Sequence, residues 1–262
     1  MKRLIPFSLV LMSILILAGC SVTEITPGNS AAVGKSIQDK YDAVTSYNAQ
    51  VYTVGSDGSM TFGNFMVEKP NKIAEIIQWE TGLYLPTATV CVGAERWQWQ
   101  RVANSTETVA YDCAAEVNKY FDIMEKVKEI AKYKNTITEV ITTKDDAKDT
   151  IVAAPEFVDQ QGRFKTLQTS PEGYKFGETV NHGGSSTYSN RHAVEVKYTN
   201  DKGENIRLLF LTENLMLLKA EIHRADGSST TAYYSNFEIN QKSAIRMLTP
   251  QEIENLRNAL VK

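Results

Sequence analysis

Three cysteines and three histidines hold most of the reactive chemistry open to this 262-residue chain. His182, His192 and His223 match no zinc-protease spacing, and none sits beside a cysteine. His182-Gly183-Gly184-Ser185 has the outline of an oxyanion loop next to a serine, but no strand-turn-helix elbow surrounds it to expose the hydroxyl. A flexible Gly/Ser loop is expected there instead. Asp145, Asp146 and Asp149 lack the glycine and the terminal acid of a calcium loop and read as a solvated face. Glycine-rich phosphate cradles are missing from the sequence, and no carboxylate pair recommends itself for glycoside hydrolysis. The expectation is a protein that is not an enzyme, with no catalytic residues, no metal site and no cofactor.

Cys20 has the most specific setting of the reactive residues. Lys2 and Arg3 precede an apolar run from Leu4 to Leu17, which Leu17-Ala18-Gly19-Cys20 closes. These residues resemble the signal peptide and lipobox of bacterial and archaeal lipoproteins. The resemblance implies cleavage before Cys20 and a thioether-linked lipid on its sulfur, with a second acyl chain of the palmitate kind often on the new amino terminus. Two buried chains can hold a protein on a membrane. One alternative is an uncleaved membrane helix, but the run carries Pro6 and Ser8 and is shorter than the roughly 20 residues a bilayer requires. The other is an ordinary secretory signal followed by a chance cysteine.

Residues 1–19 are thus expected as the signal peptide, 20–34 as the lipidated cysteine and a flexible tether, and 35–262 as a single domain. The expected location is outside the cytoplasm, lipid-anchored to the cell membrane or an outer membrane. The formal charge of −3, about −5 once Lys2 and Arg3 are lost, gives no electrostatic footprint for nucleic acid.

Export bears on Cys91 and Cys113, because disulfides form and persist outside the cytosol. Val90 to Gln100 and Thr108 to Cys113 read as neighbouring strands about a polar turn at Ala103, Asn104 and Ser105. Both cysteines are nearly equidistant from that turn, which would let them pair across the hairpin. Two buried free thiols are the alternative. Zinc is disfavoured, since two thiolates without a nearby histidine do not fill a tetrahedral shell.

A frame must hold these residues, and its elements are legible from period and punctuation. The first helix follows the tether, with Ile37, Tyr41 and Val44 on one stripe and Ser36 with Asp39 as its cap. From Asn48 the apolar period becomes two, and Ser56-Asp57-Gly58 and Lys69-Pro70-Asn71 divide an antiparallel meander. In its second strand Met60, Phe62, Asn64 and Met66 share one face, while Thr61, Gly63, Phe65 and Val67 share the other. Both faces are partly apolar, so both sides of the sheet should be covered. Glu116 to Lys132 returns to helical spacing, and Thr142 to Ser189 is rich in breakers, predicting short elements and a mobile loop. Strands resume at Ala193–Tyr198, Asn205–Leu211, Leu215–Arg224 and Thr230–Ile239. Thr249, Pro250 and Glu252 then supply the N-cap, N1 proline and capping-box acid of a last helix.

This order of elements resembles the lipoprotein-localisation carrier superfamily (LolA/LolB-like). The residues that carry the resemblance are Lys69-Pro70-Asn71 between two strands, Val92-Gly93 followed by Trp97 and Trp99, and the closing run Tyr234-Ser235-Asn236-Phe237-Glu238-Ile239-Asn240. The resemblance implies an α+β fold: a curved antiparallel β-sheet, an incomplete β-barrel, with helices covering the concave face and enclosing an apolar cavity for acyl chains. Phe62, Met66, Trp79, Trp97, Val194, Val196, Leu208 and Phe210 are the candidate cavity residues by type and position, with a filled core as the alternative for each. The implied function is a membrane-anchored envelope lipoprotein that binds or transfers lipid or lipoprotein acyl chains without covalent catalysis. The alternative is an envelope sensor that engages a protein partner on the same fold. The soluble carrier of that superfamily lacks an anchor, so Cys20 makes this chain look more like a tethered acceptor or sensor. Leu83-Tyr84-Leu85-Pro86 is the one stretch that could serve as an apolar loop.

Overall fold

The computed structural model describes residues 29–80, 87–100, 105–146, 163–170, 173–180, 188–240 and 245–261. Cys20 and the signal segment, the 83–86 loop and the Gly/Ser stretch at 182–186 lie outside them.

Helix α1 (Ser30–Asp42) leads into six strands: β1 (Ser46–Gly55), β2 (Met60–Glu68), β3 (Lys72–Glu80), β4 (Thr87–Val92), β5 (Glu95–Gln100) and β6 (Ser105–Ala110). Helices α2 (Cys113–Tyr120) and α3 (Asp122–Lys128) follow, then β7 (Asn135–Ile141) and a separate hairpin of β8 (Arg163–Ser170) and β9 (Gly173–Val180). The second meander is β10 (His192–Thr199), β11 (Asn205–Leu211), β12 (Leu217–His223) and β13 (Ser229–Ile239), before α4 (Pro250–Val261). Eleven strands form one antiparallel sheet in the order β6-β5-β4-β3-β2-β1-β13-β12-β11-β10-β7. The end strands β6 and β7 do not pair, so the sheet is a curved half-barrel. The two meanders meet where β1 pairs with β13, from Tyr47 opposite Ile239 to Gly55 opposite Thr230.

Alternation assigns the faces. Phe65, Val67, Ile73 and Cys91 point to the same side as Val194, Val196, Leu208 and Phe210, and α1 to α3 pack over them as the main core. Tyr41 of α1 is central to that contact. Its hydroxyl donates to Leu215 O (3.1 Å) and accepts from Leu217 N–H (2.8 Å), while its ring meets Phe210 edge-on at 5.6 Å. Burying an aromatic this large requires partners for its polar tip, and the β11–β12 turn supplies them.

Three local readings change in the folded chain. Ser30 to Gly34, read as the end of the tether, are helical, because Gly34 lets α1 lie so close to β7 that a Cβ there would fall 2.7 Å from Ile137 Cδ1. Ser36 is therefore no cap, and its hydroxyl donates back to Ala32 O (3.0 Å). The single helix expected over Glu116 to Lys132 is broken at Phe121, whose backbone sits at φ −92°, ψ 1°. That bend carries α2 over β2 and β3 and turns α3 against α1, with the Phe121 ring set on Tyr47 at 5.4 Å.

Cys91 and Cys113 form a disulfide with a Cα–Cα distance of 5.7 Å. The pairing is as expected, but the route differs. Gly93, at φ 65°, makes a further turn, so Val90 to Gln100 is two strands rather than one. Cys113 lies beyond β6 at the first turn of α2, where Asp112 caps the helix by accepting from Ala114 N–H (3.0 Å). The disulfide thus staples α2 to β4 on the helix-covered face instead of crossing a hairpin.

Candidate functional site

The eight candidate cavity residues separate into two faces of the sheet. Val194, Val196, Leu208 and Phe210 lie under the helices, with Val194 opposite Phe210 and Val196 opposite Leu208 on β10 and β11. All four are 0% exposed, so none borders a space that a water molecule could enter. Tyr41, Tyr234 and Phe237 pack beside them, with ring centroids 5.6–6.2 Å apart.

Met66, Trp97 and Phe62 lie on the opposite, outer face. Trp79 is opposite Phe62 in the β2–β3 register, and its side chain lies outside the described residues. Two neighbouring rows cross four strands here. One runs Met66, Ala74, Val90, Trp97, and the other Asn64, Ile76, Ala88, Trp99. Ala74 on β3 and Ala88 on β4, set between Met66 on β2 and the two indoles on β5, make a trough. Ile245 and Leu248 are buried in it, and Met247 and Ile253 pack beside them.

This covering strap is held by the start of α4. Glu252 accepts from Thr249 N–H (2.8 Å) while its own N–H donates to Thr249 Oγ1 (3.3 Å), as the capping box requires, and its carboxylate also receives Arg246 through both terminal nitrogens at 2.8 Å. Beneath the strap, Asn64 Nδ2, Trp97 Nε1 and Trp99 Nε1 are buried donors with no hydrogen-bond partner among the described residues. Each unmet donor costs about 1–3 kcal/mol. The trough therefore offers an apolar floor and hydrogen-bond donors in need of acceptors. Ile245, Leu248 and Asn64 were not found by sequence reading. Trp97-x-Trp99 did place two indoles on one face, but nothing local says that the chain's far end returns to cover them.

Polar groups are disposed differently on the two faces. On the helix-covered side Glu75 is 5% exposed and accepts from the Tyr120 hydroxyl. Burial raises its carboxyl above the usual range, against the pull of Tyr120 and Arg96. On the outer side of β10–β12, Arg207 binds Glu195 (2.6 Å), Glu221 (3.1 Å) and Asp146 (3.1 Å), and Lys219 binds Glu221 (2.6 Å) and Asp146 (3.3 Å). Burial by itself would raise these three carboxyls, but the hydrogen bonds and cations outweigh it and hold all three below their usual range. Asp146 is thus no freely solvated acid, since the turn after β7 carries it onto Arg207. Among the described residues, no group of three His, Cys, Asp or Glu gathers as metal ligands would, and no helix is long and apolar enough to cross a membrane.

No known family profile matches the chain, and no curated protein matches it. Among solved structures it is similar to an uncharacterized conserved protein from Thermus thermophilus, with a TM-score of 0.38 and 10% identity over 85% of this chain and 96% of that one. It is also similar to MucB in the MucA/MucB complex of Pseudomonas aeruginosa, at TM-score 0.35 and 11% identity over 82% of this chain and 58% of that one. A LolA superfamily protein from Nitrosomonas europaea gives 0.25 and 10% over 83% and 96%. Similarity at this level says nothing of ligand or partner.

Proposed function

We propose that this protein is an exported, lipid-anchored module of the cell envelope that binds acyl chains without covalent catalysis. Its binding surface is the outer trough, and the apolar outer face of β2–β5 is the observation that supports this. That face carries three donors unmet among the described residues and lies under a strap from the same chain. An acyl ester would bring alkyl surface for the floor and carbonyl acceptors for the donors, whereas a peptide would bring N–H groups in need of acceptors of their own. The Cys91–Cys113 disulfide suits an oxidising compartment. The deciding experiment is mass spectrometry of lipids co-purifying with Cys20→Ala, which lacks the anchor. One acyl-bearing lipid per chain is expected, and repeatedly clean protein that also fails to bind added fatty acid would overturn the reading.

A second reading, a sensor that engages an envelope protein, is favoured by a separate observation. The exposed large apolar side chains among the described residues are Val109 and Ile141, at 42% and 51%, one on each unpaired edge strand. Open edges accept an added strand. Cross-linking from positions 109 and 141 to one defined partner, with no lipid in the trough, would favour it.

A further inference from the structure

The outer face of β7 and β10–β12 carries a recess of about 490 Å³, remote from the trough along the sheet. Its lining is cationic in a chain that is acidic overall: Lys134, Lys197 and Arg207 stand against a single carboxylate, Glu221, with His223 beside them. Most of that charge is already matched. Lys197 is 2.5 Å from Glu195, Arg207 holds three carboxylates, and Glu221 is bound by Lys219 as well as Arg207. Nearby, Glu204 is engaged by Lys126 (2.7 Å) and Asn200 (2.7 Å), and Asp201 by the Tyr133 hydroxyl (2.9 Å). Lys134 and His223 are left without a partner among the described residues. Together they present an ammonium and an imidazole ring able to hydrogen-bond.

The neutral lining is polar. Thr136 and Asn205 border the recess, and Asn205 Oδ1 accepts from Thr199 (2.7 Å), which leaves its amide nitrogen to donate outward. The volume is within the range of small-molecule sites and far exceeds that of a bare oxyanion.

We propose that this recess binds the phosphate ester of a polyol, its phosphate facing Lys134 and His223 and its hydroxyls facing Thr136, Asn205 and Glu221. No bond is made or broken. The network beneath is self-neutralised, so it fixes the shape of the floor while Lys134 supplies the charge attraction and the His223 ring a hydrogen bond. Such a group occurs on a free polyol phosphate and on the headgroup of an anionic phospholipid.

The experiment titrates full-length Cys20→Ala with glycerol 1-phosphate by calorimetry and separately floats it with phosphatidylglycerol or phosphatidylcholine vesicles. Lys134→Glu reverses an exposed charge without touching the core, and Lys132→Glu, also exposed but outside the lining, is the control. Reversal at Lys134 is expected to weaken binding by at least about tenfold, with the control unchanged. Binding of glycerol 1-phosphate identifies a free ligand, and flotation with phosphatidylglycerol alone identifies the headgroup. Equal loss in both variants, or no binding to either probe, overturns the proposal.

Discussion

The two ends of the outer sheet face meet the same problem with opposite chemistry. Across β2–β5 the outward rows are mostly alkyl and indole, and a strap from residues beyond 244 lies over them. Across β10–β12 the outward rows are Glu195, Lys197, Arg207, Lys219 and Glu221, which satisfy one another in place. Apolar burial is non-directional, so a different apolar cover of similar area can replace the strap. Charge pairing is directional, so the second region keeps its shape without a cover and leaves an open recess.

Truncation at the first region should have the largest effect. Trp99→Ala removes a fully buried indole and is expected to cost about 3–5 kcal/mol, read as a lower denaturant midpoint. A loss below about 1 kcal/mol would mean that the trough is not packed as described. In the second region Arg207→Ala leaves three carboxylates without their shared cation. Breaking a buried network costs about 3–5 kcal/mol, and partial solvent access to Arg207 reduces the expectation to about 2 kcal/mol. Equal losses from Arg207→Ala and Lys35→Ala, an exposed helix pair, would dissolve the distinction between network and surface.

pH sharpens the comparison further. Asp146, Glu195 and Glu221 have lowered folded pKa values, so their contribution is present above the unfolded value of about 4 and is lost as pH falls through the folded ones. Glu75 is raised, so its contribution is present below its unfolded value and is lost as pH rises through the folded one. Acid unfolding followed by hydrogen exchange should open β10–β12 first. Glu75→Gln should gain stability relative to the wild type with rising pH, and a pH-independent difference would remove Glu75 as the cause. The smallest effect is expected at the unmet donors. Trp97→Phe deletes one while keeping a ring, so the relief of about 1 kcal/mol should largely offset the lost packing. A loss as large as that of Trp97→Ala would mean the indole N–H has an acceptor after all.

Much of the frame was legible because local chemistry and final structure agree. Thr249 and Glu252 form the capping box their spacing predicts, and the second meander's strands fall within a few residues of their sequence bounds. Where reading failed, a distant contact had overruled the local signal. Gly34 looked like a linker until β7 was set against it, Phe121 looked like the middle of a helix until Tyr47 required a bend, and Asp146 looked solvated until Arg207 was placed beneath it. The candidate cavity shows the same limit. Period two reveals that Phe62 and Met66 share a face but not that Val194 and Phe210 belong to the other.

The sequence by itself determined the first and last helices and the strands of the second meander, the two-sided apolar character of β2 and the residues fit to pair as a disulfide. These depend on period, caps and residue type within a few positions. Only the tertiary structure decided which apolar face lies under the helices and which is a strapped trough, and that the charges of β10–β12 neutralise one another around an open recess. Each of those outcomes joins residues far apart in the chain. Strand alternation says which side chains point together, but only packing says what comes to meet them.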